Sequence, residues 1–388
     1  MTTARRTIPV ARPFLGEREA DAARRAILSG WVTQGPEVAA FEREFAAEVG
    51  APYACAASSC TTALHLALLA VGVTPGDEVV TVSHSFVATA NAVRYCGAVP
   101  VFVDVELETF NIDPDLVERA VTSRTRALLV VHQLGMPCDL GRIVPMARRL
   151  GVPVVEDAAC AIGSEIHRDG VWERIGRPHG DVACFSFHPR KLLSTGDGGM
   201  VTTGSERIDA ACRLLRHHGM SVPDTVRHQA SEIVFEEYST PGFNYRMTDI
   251  QAAVGRVQLS RLGSIVERRR YLAARYTAAV AAVPDLVTPV EPAWARTNWQ
   301  SYAVRLKDRS DQRAVMQRML DDGVATRRGA MNAHRERAWP AGSWRTTPDG
   351  LTRGELAQDT TIVLPLYHEM SVDDQDHVVT SLVRALGR

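Results

Sequence analysis

"TRALLVVHQLGMPCDLGRIVPMARRLGVPVVED" (125–157) decides the fold. It opens on an apolar run, "TRALLVVHQ" (125–133), and closes on another, "VPVVED" (152–157). Between them, "LGRIVPMARRLG" (140–151) carries helical spacing. A strand, a helix and a strand in about thirty residues make a βαβ unit. Such a unit places its two strands parallel and buries them from both faces.

The same alternation extends in both directions. Upstream, "DEVVTV" (77–82) is predicted as a strand, "FVATANAVRYCG" (86–97) as a helix ending at Gly97, and "VPVFVDV" (99–105) as a strand. "DPDLVERAV" (113–121) is predicted as a helix, with Asp113 as its N-cap and Pro114 in its first turn. Downstream, "DVACFSF" (181–187) and "GMVTTG" (199–204) are predicted as strands. These elements predict an α/β fold with a mostly parallel central sheet and helices on both faces. Sheets of this kind bind ligands at the carboxyl ends of their strands.

The pattern changes after residue 262. A long helix (262–283), a Pro-containing stretch (284–292), a strand (299–306), a helix (311–321), a short strand and a final helix (372–386) predict a smaller C-terminal α+β domain. The expected division is therefore 1–262, including an N-terminal segment 1–30, and 263–388. The stretch 335–358 is polar and is expected to be loop.

Bulk chemistry removes several function classes. The chain has 388 residues, 45% hydrophobic and 23% charged, with net charge −1. No basic excess points to nucleic acid or to an anionic membrane surface. The seven cysteines (55, 60, 96, 138, 160, 184, 212) form no CxxC pair and are odd in number. They fit free thiols of a reducing cytoplasm, and neither a disulfide framework nor a metal site is expected. The start "MTTARRTIPVARPFLGE" has no apolar core for a secretory signal, and no run reaches membrane-spanning length. A cytoplasmic protein is expected.

The basic residues carry the chemical clue. Of 44 Lys and Arg, only Lys191 and Lys307 are lysine. A solvated cation is written as Arg nearly everywhere, so Lys at 191 suggests an amine that must lose its proton, which a guanidinium cannot do. Lys307, in the polar turn "RLKDRS", reads as a surface lysine. Lys191 follows the strand "DVACFSF", which ends beside Ser186, and precedes the Gly-rich turn "STGDGG". Asp157 closes the strand "VPVVED"; it reads either as a cap or turn aspartate, or as a buried carboxylate facing a cationic ring nitrogen. "SSCTTALHLALLAVG" (58–72) leads small polar residues into a helix; it reads either as simple capping or as a phosphate site at the helix N-terminus. An amine, a carboxylate and a helix N-terminus together suit pyridoxal phosphate, whose aldehyde, ring nitrogen and phosphate need those three groups.

Several stretches, in order, then carry a resemblance: "SGWVTQGPEVAAFE" (29–42), "SSCTTALHLAL" (58–68), "SFVATANAV" (85–93), "VEDAACAIGS" (155–164), "FSFHPRK" (185–191) with "GDGGMV" (196–201), "GFNYRMTDIQAAVGRVQL" (242–259) and "LPLYHEM" (364–370). Over about residues 8–384 the chain resembles the DegT/DnrJ/EryC1/StrS aminotransferases. The resemblance implies a fold-type I aminotransferase that uses pyridoxal phosphate to aminate keto sugars, usually nucleotide-linked, or keto cyclitols. It implies a homodimer with shared active sites. It makes Lys191 the lysine of the internal aldimine and Asp157 the partner of the pyridine nitrogen. Ser186, Cys60 and Thr61 become phosphate contacts, and Phe86 the ring-stacking aromatic. Asn244 becomes a group reaching the neighbouring subunit's phosphate. Cys160 stands beside the cofactor where the family often has Gln or His, and Cys60 where it often has Gly. A dehydratase branch of the family has His in place of the lysine, and Lys191 argues against that branch.

The expected reaction is a ping-pong transfer from glutamate or glutamine to a keto sugar, with Lys191 shuttling the proton. His84, His217, His218, Tyr245, Arg246, Arg327 and His334 are candidates for the substrate pocket, each with a structural reading beside it; Arg246 could hold a carboxylate or phosphate. Two other classes fit the sequence less well. A nicotinamide oxidoreductase would want GxGxxG after its first strand, and "SSCTTAL" lacks it. A non-catalytic cofactor-binding regulator on the same fold is disfavoured by the intact Lys191, Asp157 and Ser186. Within the enzyme reading, a cyclitol aminotransferase of antibiotic biosynthesis is the alternative.

Overall fold

The structure, a computed structural model, describes residues 6–222, 233, 235–307 and 311–387. Residues 1–5 of the expected N-terminal segment, residue 388, and residues 308–310 of the turn after Lys307 lie outside the described residues.

The strands are β1 (Tyr53–Ala57), β2 (Glu78–Val82), β3 (Val99–Val103), β4 (Thr125–Val131), β5 (Val154–Asp157), β6 (Glu165–Arg168), β7 (Val171–Arg174), β8 (Val182–Ser186), β9 (Gly199–Thr203), β10 (Leu286–Val287), β11 (Ala295–Arg296), β12 (Tyr302–Leu306), β13 (Arg327–Arg328), β14 (Arg345–Thr346) and β15 (Thr361–Leu364). Eight of them form one sheet in the order β1-β9-β8-β5-β4-β2-β3-β14. β9 runs antiparallel to β1 and β8, and the other pairings are parallel.

β4 explains why both faces are covered. Leu128 and Val130 point into a core with Phe41, Phe45 and Ile143. Their neighbours Ala127 and Leu129 point the other way, to Leu64, Leu68 and Cys212. Side chains alternate across a strand, so an unbroken apolar run needs helices on both sides. The helices Pro36–Val49 and Leu140–Leu150 supply the first face, and Cys60–Ala70 and Glu206–Arg216 the second. Each fully buried leucine here contributes about 1.5–3 kcal/mol relative to exposure.

A four-stranded antiparallel sheet, β10-β12-β15-β13, stands apart. Its core joins Tyr302, Val304, Ile362 and Leu364 to the helices Gln312–Asp321 and Val372–Ala385. Ile8 lies in this core and bridges to Val324, so the segment around residue 8 packs on the smaller sheet's core. The helix Leu262–Val280 serves both cores. Leu262, Ile265 and Val266 pack on the large one, and Leu272, Tyr276 and Val280 on the small one.

One expectation is corrected. The stretch 335–358 is not simply loop. It holds β14, which adds a parallel edge to β3, and most of the helix Thr352–Thr360. Trp339 and Leu351 are buried against Phe102. Isolated aromatics in a polar stretch give no periodic signal, and their burial is set by what the fold places above them. The expected strand 299–306 is confined to Tyr302–Leu306. The helix Glu17–Ser29 and the small sheet β11-β6-β7 had no sequence reading.

Candidate active site

A cavity of about 540 Å³ opens where β4, β5 and β8 end. The groups facing it come from the loops after those strands, from the helix starts near residues 60 and 87, and from β13 and β15. Of the expected residues, it brings together Cys60, Thr61, Phe86, Asp157, Cys160, Ser186, Lys191 and Arg327.

Asp157 is the last residue of β5 and is 5% exposed. Its Oδ2 accepts from Thr89 Oγ1 at 2.8 Å, and Thr89 is itself paired with Ser85 Oγ at 2.8 Å. Its Oδ1 accepts from the Ala159 amide at 3.2 Å, so the turn reading and the buried-carboxylate reading describe the same side chain. Burial raises its pKa, outweighing those hydrogen bonds and the nearby Lys191. A carboxylate in that condition gains from a cationic partner.

Behind it lies a second buried pair. His132 Nδ1 accepts from the Cys138 amide at 2.9 Å, which leaves the ring proton on Nε2, 3.0 Å from Glu156 Oε2. Burial disfavours Glu156's charge, but His132 and the Gly180 amide reverse that and lower its pKa.

Lys191 reaches the cavity from the turn after β8, its amide bonded to the His188 carbonyl at 2.8 Å. Its Nζ donates to Cys160 Sγ at 3.0 Å. Burial works against the ammonium, yet the charge and hydrogen bond of Cys160, then Cys60 and Asp157, outweigh it and raise the pKa. The depressed pKa that burial alone would give this lysine is thus not found beside Cys160.

Ser59 caps the helix Cys60–Ala70, its hydroxyl accepting from the Thr62 amide at 3.2 Å. The Cys60 and Thr61 amides, at the first two helical positions, have no intrahelical acceptor and point out with the positive end of the dipole. Gly199, the first residue of β9, lies against this terminus. A Cβ there would come within 2.7 Å of the Cys60 amide nitrogen, so only glycine lets strand and helix end meet. Ser186 ends β8 beside them, and Phe86 is 61% exposed at the start of the helix Val87–Tyr95. An amine, a buried carboxylate, free helix amides with a hydroxyl, and an exposed flat ring fit an aldehyde, a ring nitrogen, a phosphate and an aromatic face.

The comparisons agree. The DegT/DnrJ/EryC1/StrS aminotransferase family matches residues 13–383. The chain belongs to this family. It is an aminotransferase, and its cofactor is pyridoxal phosphate. The spore coat polysaccharide biosynthesis protein SpsC of Bacillus subtilis (strain 168) is 36% identical over 385 residues, covering 97% of this chain and 96% of the relative. The aminotransferase TlmJ from Streptoalloteichus hindustanus superposes with TM-score 0.89 at 36% identity, covering 98% of this chain and 99% of its own. DesV of S. venezuelae superposes with TM-score 0.86 at 32% identity, covering 99% of both. Family membership also removes the support for a non-catalytic regulator.

Other expected residues lie outside this cavity's lining. His84 is buried and its pKa falls to about 4 by desolvation. His334 is held between Ser83 Oγ at 2.7 Å and Glu355 Oε1 at 2.9 Å. Arg246 Nη1 lies 2.6 Å from His217 Nδ1, and Tyr245 Oη lies 3.2 Å from His65 Nδ1. His218 has a left-handed backbone, φ 59°, and Asn244 is exposed.

Sequence reasoning missed His132, Gln133, His188, Arg190, Gln300 and Arg328, all of which line the cavity. His132 and Gln133 follow β4's carboxyl end, so the rule that ligands sit beyond strand ends could have found them. Asn298 was missed too. It is fully buried, and its Nδ2 donates to the carbonyls of Cys160 and Ile162, each at 2.8 Å, pinning the loop that carries Cys160. No signal in the sequence pairs those positions.

Among the described residues, no helix is long and apolar enough to cross a membrane.

Proposed function

We infer that this aminotransferase moves an amino group from glutamate or glutamine to a keto sugar carried on a nucleotide. The observation that carries the reading is Lys191 Nζ facing the same cavity as the buried Asp157. SpsC, by its name, serves polysaccharide biosynthesis, which favours a sugar over a cyclitol. When bound, pyridoxal phosphate supplies an electron sink for the substrate's α-carbon. Asp157 would hold its ring nitrogen in the charged form, and Phe86 would cover one ring face. Ser186 and the Cys60 and Thr61 amides would hold its phosphate. Lys191 Nζ would carry its aldehyde and, once freed by substrate, move the proton at the substrate's α-carbon.

The acceptor side is cationic. Arg190, Arg327 and Arg328 all line the cavity. Arg327 has its pKa lowered by burial and by the nearby Arg190. An anion relieves such repulsion, so a donor carboxylate or a nucleotide phosphate suits this wall. The exposed Asn244 suits a homodimer with shared sites, in a cytoplasmic enzyme divided near the helix Leu262–Val280.

Borohydride reduction of the protein loaded with pyridoxal phosphate, followed by peptide mapping, tests the reading. The cofactor is expected on Lys191, and added glutamate should prevent its fixation. A label at another residue rules the reading out.

A further inference from the structure

Cys160 stands apart from the other six cysteines. Those six are buried. Burial pushes Cys55 up to about 11 and Cys96 up to about 12. Cys160 is partly exposed on the cavity wall, with its sulfur 3.0 Å from Lys191 Nζ. Asn298 pins the backbone at Cys160 itself and at Ile162. A thiol and an amine are thus held in contact in a space that small solutes enter.

We propose that hydrogen peroxide joins Cys160 to Lys191 through a thiol-reversible sulfur–nitrogen bond, and that this modification closes the site to its cofactor. In the first step the Cys160 thiolate attacks peroxide. An S–O bond forms, the O–O bond breaks and hydroxide leaves; the sulfur loses two electrons and the peroxide gains them. In the second step Lys191 Nζ attacks that sulfur. An S–N bond forms, the S–O bond breaks, and the departing hydroxide takes the amine's proton as water. The sum is thiol, amine and one peroxide giving the linked pair and two waters.

The surroundings favour the second step. Burial already disfavours the Lys191 ammonium, and Cys160 is the strongest influence holding its proton in place. Once the sulfur is a neutral sulfenic acid, that influence is gone and the neutral, nucleophilic amine is released. The amine consumed is the one assigned above to the cofactor's aldehyde, so the predicted protection by cofactor rests on that reading; the linkage itself does not.

The test treats the full-length protein with peroxide, with and without prior loading by pyridoxal phosphate, and maps peptides by mass. A peptide joining Cys160 to Lys191, lighter by two hydrogens than its parts, is expected in the unloaded protein. Loading should reduce it by about tenfold or more, since access governs thiol oxidation. Dithiothreitol should release it and restore pyridoxal phosphate binding, read by absorbance. Cys160→Ser and Cys160→Ala should give no linked peptide, and the cofactor binding of each should be the same before and after peroxide. Oxidation of Cys160 with Lys191 left unlinked overturns the proposal, as does a linked peptide formed equally in loaded protein whose borohydride label is on Lys191. Borohydride labelling away from Lys191 would instead overturn the functional reading, so the two failures are distinguishable.

Discussion

The two walls of the cavity are built differently. The wall at the ends of β5 and β8 is crowded and internally bonded. Asp157, Thr89 and Ser85 form one chain of hydrogen bonds, and His132, Glu156 and the Cys138 amide form another. The other wall, from Arg190 and β13, presents exposed arginines, with Arg190 near Arg327 and Arg328 paired with Glu336 at 3.3 Å. A wall whose side chains are locked by neighbours positions one unchanging group. A wall of long, exposed cations can adjust to substrates that differ. That contrast separates cofactor from substrate within one pocket.

The largest expected effect tests the locked wall. Lys191→Arg keeps the charge but removes the amine that can lose a proton, and should slow the donor half-reaction by about 10²–10⁴-fold. Single-turnover spectroscopy measures this, and turnover near wild type would take the residue out of the chemistry.

Asp157→Asn should give an intermediate loss, about 10²-fold in kcat/KM. It should also make the cofactor-free protein more stable at neutral pH. Burial raises the folded-state pKa of Asp157, so between its unfolded and folded pKa values the folded state binds the extra proton. Wild-type stability therefore falls as pH rises through that window, and the cost persists above it. Urea unfolding should find the two proteins alike in acid, with the variant ahead at pH 7. A variant less stable at neutral pH would mean that Thr89 and the Ala159 amide fully compensate the carboxylate's burial.

The smallest effects sharpen the other wall. Arg327→Ala should raise the donor KM by about tenfold and leave kcat within about twofold, as lost ground-state binding does. His334→Ala should move KM less than that. Its bonds to Ser83 and Glu355 hold segments together, so it should instead lower the unfolding free energy by about 1 kcal/mol. A reversal of the two would return His334 to the substrate side.

The locked wall was also the legible one. Lys191 stood out because lysine is scarce, and Asp157 because it ends an apolar strand; strand ends of a parallel sheet converge, so both could be placed in one site from the chain alone. The substrate wall was legible only at Arg327. His84 and His334 read as pocket residues because histidine is a frequent functional group, but burial and fixed partners place them elsewhere. Arg190, Gln300 and Asn298 carried no local pattern at all.

The amino-acid order by itself determined the parallel sheet, because apolar runs buried on both faces leave few other arrangements, and it determined the chemistry that one scarce amine permits. Tertiary structure decided which arginines face the cavity, the burial of Trp339, and the 3.0 Å contact between Cys160 and Lys191. Those depend on where separate segments meet, and distance along a chain does not encode distance in space once about a hundred residues lie between the partners, as they do between Asn298 and the loop it pins.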